Sequence, residues 1–383
     1  GVHMTNPGSA YADRGDARKA IEVYGRALAI SRTSGDQQLE GVILGNLGLA
    51  YQALGDARRA IHYGQQALDI SRAVGDRCAE GAHLGNLGNA YTELGEPRRS
   101  IKYHEQALVI ARELGDRRME GTHLGNLGRA YADLGDAQQA ITGQQEALAI
   151  HREVGNIRGE GQALDSLGRA YTDLGQSDRA VDYYEQALDI ARATGDRRGE
   201  GADLSNLGLA YAQQGNAQWA MACHEQALSI AREVGDRRTE GTTLGNLGRA
   251  FQDLGMTTRA LEAYNEALEI ARQVGDRRSE ATWLCDLGQA YAELGDLKQA
   301  SQLQEQALAI YREIGDRRSE SSYLANLGLL ARQQGDEDRA HQAWTDALQT
   351  MEALKDPAAG RVWQWLADLE GQPAQQPDTA PAE

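Results

Sequence analysis

The sequence predicts an all-α solenoid of antiparallel helix hairpins, and three observations carry that prediction. The first is a period: the phrase at Gly125–Tyr131, "GNLGRAY", returns with small edits every forty residues from Asn6 to Asn326, which marks a structural unit used many times. The second is composition. Hydrophobic residues make up 41% of the chain but aromatics only 5%, and Phe251 is the single phenylalanine. A core of Ala, Leu and Gly fits closely packed helices, and the β-branched and aromatic alternation of half-buried strands is absent. The third is punctuation, because Gly-Asp pairs such as Gly75-Asp76 and Gly115-Asp116 divide the units.

Residues 76–115 show one unit. Asp76 follows Gly75, a helix stop succeeded by an N-cap residue. Leu84, Leu87, Tyr91 and Leu94 then recur at three- and four-residue steps, one face of a helix. Gly95 ends it, Glu96 takes the N-cap place, and Pro97 falls at the first helical position, where proline is preferred. The second helix carries Ile101, Ala107, Leu108, Ile110 and Ala111 on one side before Gly115-Asp116 repeats the stop and start. Glycine within a helix costs up to about 1 kcal/mol relative to alanine. Glycines of the Gly81, Gly85 and Gly88 type therefore need a return, expected as close helix approach, with Ala60- and Ala67-type residues packed on the Gly48 type. They are not a phosphate loop, which needs free amides at a strand-to-helix turn.

The ends follow the same logic. Residues 1–4, "GVHM", read as a cloning remnant. Residues 5–356 read as nine repeats of 40 residues, the first opening on Asn6-Pro7. Residues 357–370 form a C-terminal capping helix in which Val362, Trp363 and Leu366 cover the last repeat, and 371–383, rich in Pro, Gln and Ala, form a disordered tail.

A formal charge of −17 argues against nucleic acid or an anionic membrane as partner. Three cysteines, Cys78, Cys223 and Cys285, are far apart and odd in number, fitting neither a disulfide framework nor a zinc site. Without an apolar run of about 18 residues or a visible signal peptide, the chain reads as cytoplasmic.

The pattern Leu44-x-x-Leu47-Gly48-x-x-Tyr51, followed by Ala60 and Ala67, resembles the tetratricopeptide repeat. Leu44 stands where that repeat more usually has tryptophan, and the forty-residue period replaces the common one of 34. The "GNLG" and "GDRRxEG" phrases look most like the repeats of the spindle-orientation scaffold Pins/LGN, of kinesin light chain and of the arms of bacterial signalling ATPases. The resemblance implies a right-handed superhelical solenoid that binds a protein or peptide on its concave wall, lined by the first helix of each hairpin.

Columns at forty-residue spacing then show what such a ligand would meet. One holds Asn46, Asn86, Asn126, Asn206, Asn246 and Asn326, interrupted by Ser166 and Asp286. Asparagine is a poor interior helix residue, and its amide both donates and accepts, so it suits the backbone of an extended segment. The family uses such a ladder in that way. The alternative is that each asparagine bonds a neighbouring helix. The preceding column is small, with Gly45, Gly85, Gly125 and Gly245 but also Asp165, and is expected to leave room for a ligand main chain. Asn89, Arg129, Arg169 and Arg249 lie three residues after the ladder, and Arg129–Asp133, Arg169–Asp173 and Arg249–Asp253 share a helix face at four-residue spacing. They present alternating charge to a partner or form a solvated charged face. Acids outnumber bases, so the expected ligand carries Arg or Lys among small or apolar residues. The strongest stretch is Asn86 to Asp253. A carboxylate clamp needs Lys or Arg where Gly45 and Asn46 stand and is disfavoured.

The "GDRR" corners, with Arg117, Arg197, Arg237 and the arginine after each, place cations at helix N-termini, against the dipole. Glu120, Glu200, Glu240 or acids of the neighbouring unit are the expected partners; an RNA or phosphate stripe is the sharper alternative, without interleaved aromatics. His83 and His123 share one column and His104 and His224 another, offering two metal ligands at best where three or four are needed. No metal, no cofactor and no catalytic residue is expected. The function read from these residues is a non-catalytic interaction scaffold. Its rivals are the sensor arm of a larger signalling ATPase or protease, against which the Asn6-Pro7 cap weighs, and a homo-oligomer joined through the repeat ends.

Overall fold

The computed structural model describes residues 7–370, so Asn6, the 1–4 remnant and the 371–383 tail lie outside the described residues. The described residues are all-α, and the chain divides into two compact units, 1–194 and 195–383.

In the first unit the first helices of successive hairpins are α1 (Pro7–Asp13), α3 (Gln37–Ala53), α5 (Arg77–Glu93), α7 (Arg117–Leu134) and α9 (Ile157–Asp173). Their second helices are α2 (Ala17–Ser34), α4 (Ala57–Val74), α6 (Pro97–Leu114), α8 (Ala137–Glu153) and α10 (Ser177–Thr194). The second unit pairs α11 (Arg197–Gln213) with α12 (Ala217–Val234), α13 (Arg237–Asp253) with α14 (Thr257–Val274), and α15 (Arg277–Glu293) with α16 (Leu297–Ile314). It ends on α17 (Arg317–Gln333), α18 (Glu337–Ala353) and α19 (Ala359–Leu369).

Punctuation works as the sequence predicts. The Asp76 carboxylate accepts from the Ala79 amide at 2.9 Å, which satisfies one of the orphan donors of α5. Gly75, at φ 73°, takes the left-handed conformation that closes α4. Glu96 is a departure: it stands at the N-cap of α6 but makes no side-chain cap bond. Its longer side chain turns to Arg99 at 3.0 Å, and Pro97 at the first helical position lessens the need for a cap.

The return on the interior glycines differs in part from expectation. Around Gly48 the near atoms are the Ala60 carbonyl and Gly64, not Ala67. In the other hairpins the residue equivalent to Gly64 is large, and its side chain lies on the glycine: His104 on Gly88, Tyr184 on Gly168, His224 on Gly208 and Tyr264 on Gly248. A Cβ at Gly248 would stand 2.6 Å from Tyr264 Cε1. Gly48 thus keeps the expected close backbone approach at Ala60, while its counterparts make room for a side chain, usually a ring, that the neighbouring helix inserts.

The corners are ion-pair clusters. Glu80 is 7% exposed and receives Arg72 at 2.9 Å and Arg77 at 2.6 Å. Burial alone would raise its carboxyl, but the two guanidinium hydrogen bonds carry it below its ordinary value. Arg117–Glu120 and Arg237–Glu240 repeat the pair at 2.6 and 2.5 Å, and Arg197 meets Glu200 likewise. The second arginine of the corner crosses to the next hairpin in Arg238–Asp276 and Arg278–Asp316, at 3.3 and 3.0 Å. These arginines are therefore held by carboxylates.

At the chain's far end, Val362, Trp365 and Leu366 of α19 join the cluster around Trp344. Trp365, not Trp363, meets the Trp344 ring, at 5.8 Å between centroids. The two positions are two residues apart and so point to nearly opposite sides of the helix.

Candidate functional site

The asparagine column runs along the first helices, one residue per hairpin, and some of its members bond neighbouring polar side chains. In the first unit Asn126 Nδ2 donates to Asn89 Oδ1 at 3.2 Å, and Arg129 Nη2 donates to Asn126 Oδ1 at 2.6 Å. Asn46 and Asn86 are half-buried on α3 and α5. Arg169 pairs with Asp165 at 3.2 Å on α9. In the second unit Arg249 reaches across from α13 to Asp286 on α15 at 2.9 Å and lies over the Trp283 ring at 5.3 Å. Burial pushes the Asp286 carboxyl above its ordinary value, while the Arg249 charge opposes that rise. Asn206 is half-buried on α11, Asn246 is buried, and Asn326 is exposed on α17.

On this face Asp133, Asp173 and Asp253 are exposed, and their arginines bond elsewhere. Arg129 and Arg169 turn back to Asn126 and Asp165, and Arg249 turns to the next hairpin. Helical side chains lean toward the N-terminus, which favours partners three or four residues earlier.

One expectation about this face needs correction, that of the small column. Gly45 and Gly85 are not open to a ligand main chain: His83 and His123 of the following hairpin lie over them, at 2.5 and 2.7 Å from where a Cβ would stand. Trp283 covers Gly245 in the same way. Gly125 differs. The following hairpin offers Ala163 there, the nearest atoms to a Cβ are 3.7 Å away, and a cavity of about 130 Å³ opens. Asn126, Arg129, Gln162 and Ser166 line it together with Gly125 and Ala163. Gln144 helps to shape its floor by donating to the Gly125 carbonyl at 2.8 Å. The signal was present in the column Ile43, His83, His123, Ala163, where bulk disappears at one position.

The cavity offers amides, guanidinium groups and a hydroxyl in a recess beside a half-buried ladder. That arrangement suits hydrogen bonding to a peptide backbone or a polar side chain. Cys223 and Cys285 are buried free thiols, and Cys78 is exposed. Among the described residues no group of three or more His, Cys, Asp or Glu could hold a metal ion, and no helix is long and apolar enough to cross a membrane.

Comparison with known proteins gives a consistent family assignment. The sequence model of the tetratricopeptide repeat matches residues 3–73, 79–153, 119–193, 202–273, 241–313 and 278–353. No curated protein sequence matches the chain. Among solved structures, BtubC of P. vanneervenii is similar at 23% identity and a TM-score of 0.52, over 57% of this chain and 92% of that one. A signal transduction ATPase with numerous domains and a tetratricopeptide repeat sensor, from Pyrococcus horikoshii, matches at 16% identity and a TM-score of 0.63. That match covers 92% of this chain and 54% of the other. A Rap protein complexed with competence and sporulation factor matches at 14% identity and a TM-score of 0.56, over 96% of both chains. At these identities the likeness is one of fold.

Proposed function

The chain belongs to the tetratricopeptide repeat family, and we propose that it is a non-catalytic scaffold binding a protein or peptide segment along its first helices. The observation that carries this reading is the recess at Gly125 and Ala163, into which Asn126 and Arg129 of the polar ladder converge. The Rap protein solved with competence and sporulation factor shares the fold, which supports a role in binding. The ligand we propose carries Arg or Lys among small or apolar residues. Asp133, Asp173 and Asp253 are exposed, and the chain's net charge is −17, so a basic segment meets complementary charge along the face, while the recess itself, with Arg129 and Arg158 in its lining, takes the segment's uncharged polar groups.

Asn46, Asn86, Asn89, Asn126, Arg129, Asp165, Arg169, Asn206, Asn246, Arg249, Asp286 and Asn326 are the proposed contacts beside those three acids. Removing Asn126 and Asn206 together should weaken partner binding by about ten- to a hundred-fold, since each leaves a ligand polar group unpaired. The melting curve should stay close to wild type. Selection from a random peptide display library, followed by titration of the enriched peptide against wild type and Asn126→Ala/Asn206→Ala, reads this directly. Equal affinity for both proteins would sink the proposal.

A further inference from the structure

The second unit carries an aromatic gap on the side of α13 opposite its Asn246 and Arg249. Three hairpins of the first unit stack a tyrosine of the second helix on a tyrosine of the first. The pairs are Tyr51–Tyr63, Tyr91–Tyr103 and Tyr171–Tyr183, with centroids 5.3, 5.2 and 5.4 Å apart and rings within 9° of parallel. An arginine one turn before the second tyrosine lies over the first ring in each: Arg59, Arg99 and Arg179. The α13–α14 hairpin keeps the first ring as Phe251 and the arginine as Arg259, 4.0 Å from the ring centroid. The second tyrosine is replaced by Ala263.

The gap stays open. At Gly143, where a tyrosine is also missing, the helices close up, and a Cβ would stand 3.1 Å from the Leu124 carbonyl. At Ala263 a cavity of about 310 Å³ remains, floored by Leu228, Leu244, Leu247 and Phe251. Glu225 lines its far side. Glu225 is the counterpart of Gln65, and in the intact stack the Tyr103 hydroxyl donates to Gln65 Oε1 at 3.3 Å. A tyrosine entering the gap from outside would therefore find aliphatic walls and a carboxylate in place to accept a hydrogen bond from its phenol, and would reach the Phe251 ring, itself 4% exposed, by displacing Arg259 from its face. Glu262 and Glu266 also stand at the rim; Arg232 pairs with Glu266 at 2.5 Å and Arg259 with Glu225 at 3.6 Å. Three glutamates against two arginines leave a net negative mouth.

We propose that this cavity is a docking site for a tyrosine side chain of a partner protein, flanked in that partner by a basic residue. The ring replaces the missing internal tyrosine on Phe251, and the hydroxyl donates to Glu225. Aromatic side chains bury roughly 150–250 Å² and favour stacked geometry, which makes them effective anchors in pockets of this kind. The site is separate from the polar ladder, so it stands or falls independently of the function proposed above.

N-acetyl-tyrosinamide is the probe. An amide chemical-shift titration of the full chain should give saturable shifts confined to α12, α13 and α14, with a dissociation constant on the order of 1 mM for so small a ligand. N-acetyl-phenylalaninamide should bind about five-fold more weakly, lacking the phenol hydrogen bond. N-acetyl-Tyr-Arg-amide should bind more tightly than N-acetyl-Tyr-Glu-amide, and the difference should shrink in salt. Ala263→Tyr rebuilds the internal stack and should abolish binding while raising the melting temperature. Glu225→Lys, at an exposed rim position, should keep the fold and lose the preference for tyrosine, which preserves the test should Ala263→Tyr fold poorly. No saturable shift in the wild type, binding that survives in a folded Ala263→Tyr, or a tyrosine preference unchanged in Glu225→Lys overturns the proposal. Concentration-dependent mass in sedimentation equilibrium, abolished by Ala263→Tyr, also overturns it, because the occupant is then a second copy of this chain.

Discussion

Acidification from pH 7 to pH 4.5 is expected to destabilise this protein by several kcal/mol, through histidines buried without partners. Nδ1 of His83, His104, His123 and His224, and Nε2 of His104, have no hydrogen-bond partner among the described residues. Burial lowers the imidazole of His104 from 6.5 to about 3 and those of His123 and His224 to about 4. In the unfolded chain the same rings protonate near 6.5, so between these values the unfolded state binds more protons. The stabilisation is present above pH 6.5 and is lost as the pH falls toward 4. The His104, His123 and His224 rings each account for roughly 2–3 kcal/mol by pH 4.5.

The corner carboxylates Glu80 and Glu120 sit below their ordinary value of 4.5, so their loss falls in a lower window. His104→Gln should flatten the pH dependence. Gln144 occupies the equivalent place and donates to a backbone carbonyl at 2.8 Å, a bond whose strength does not change with pH. Thermal melts between pH 7 and 4.5 check this, and parallel curves for wild type and variant would remove His104 from the account. Because hairpins in a repeat array are held mainly by their neighbours, the loss should begin around α5 to α7, where the His104 and His123 rings lie 5.8 Å apart.

Trp344→Ala is expected to cost about 3–5 kcal/mol, the upper range for a core truncation. The ring is 0% exposed. Its Nε1–H donates to the Ala325 carbonyl at 3.0 Å, and its other contacts include Gly328 and Trp365. Removal leaves a cavity, an unmet backbone acceptor and an undocked side of α19 in one step. Urea denaturation gives the stability change, and hydrogen exchange locates it. Amides of α19 should exchange faster in the variant than in the wild type at equal distance from the midpoint. Unchanged exchange there would mean that α19 is held by something other than this ring.

Much of the hairpin was legible because its signals are local. Gly75 and Asp76 are adjacent, Pro97 sits at a helix start, and Leu84, Leu87 and Tyr91 mark a face by spacing alone. The candidate face was legible only in part. Asn126 bonds Asn89 on the neighbouring helix, the alternative that the column left open, and the openness of Gly45 is decided by His83, almost a whole repeat further along the chain. Reading one helix for small residues cannot show what the next hairpin lays over them. The recess at Gly125 needed two columns read together, the glycine and the Ala163 that follows it. That Arg129 and Arg169 bond backward, to Asn126 and Asp165, was not legible, because spacing is symmetric while side-chain lean is not. The aromatic gap at Ala263 follows from the same rule: a missing residue has meaning only against the siblings that keep it.

A ligand that enters the recess beside Asn126 should be shut out by Ala163→His, because His83 and His123, at the same position, each lie over the preceding glycine. A peptide selected on the wild type would be titrated against that variant by calorimetry, with circular dichroism confirming the fold. Affinity is expected to fall at least ten-fold with helicity unchanged. Undiminished affinity in a folded Ala163→His protein would contradict ligand entry at this recess.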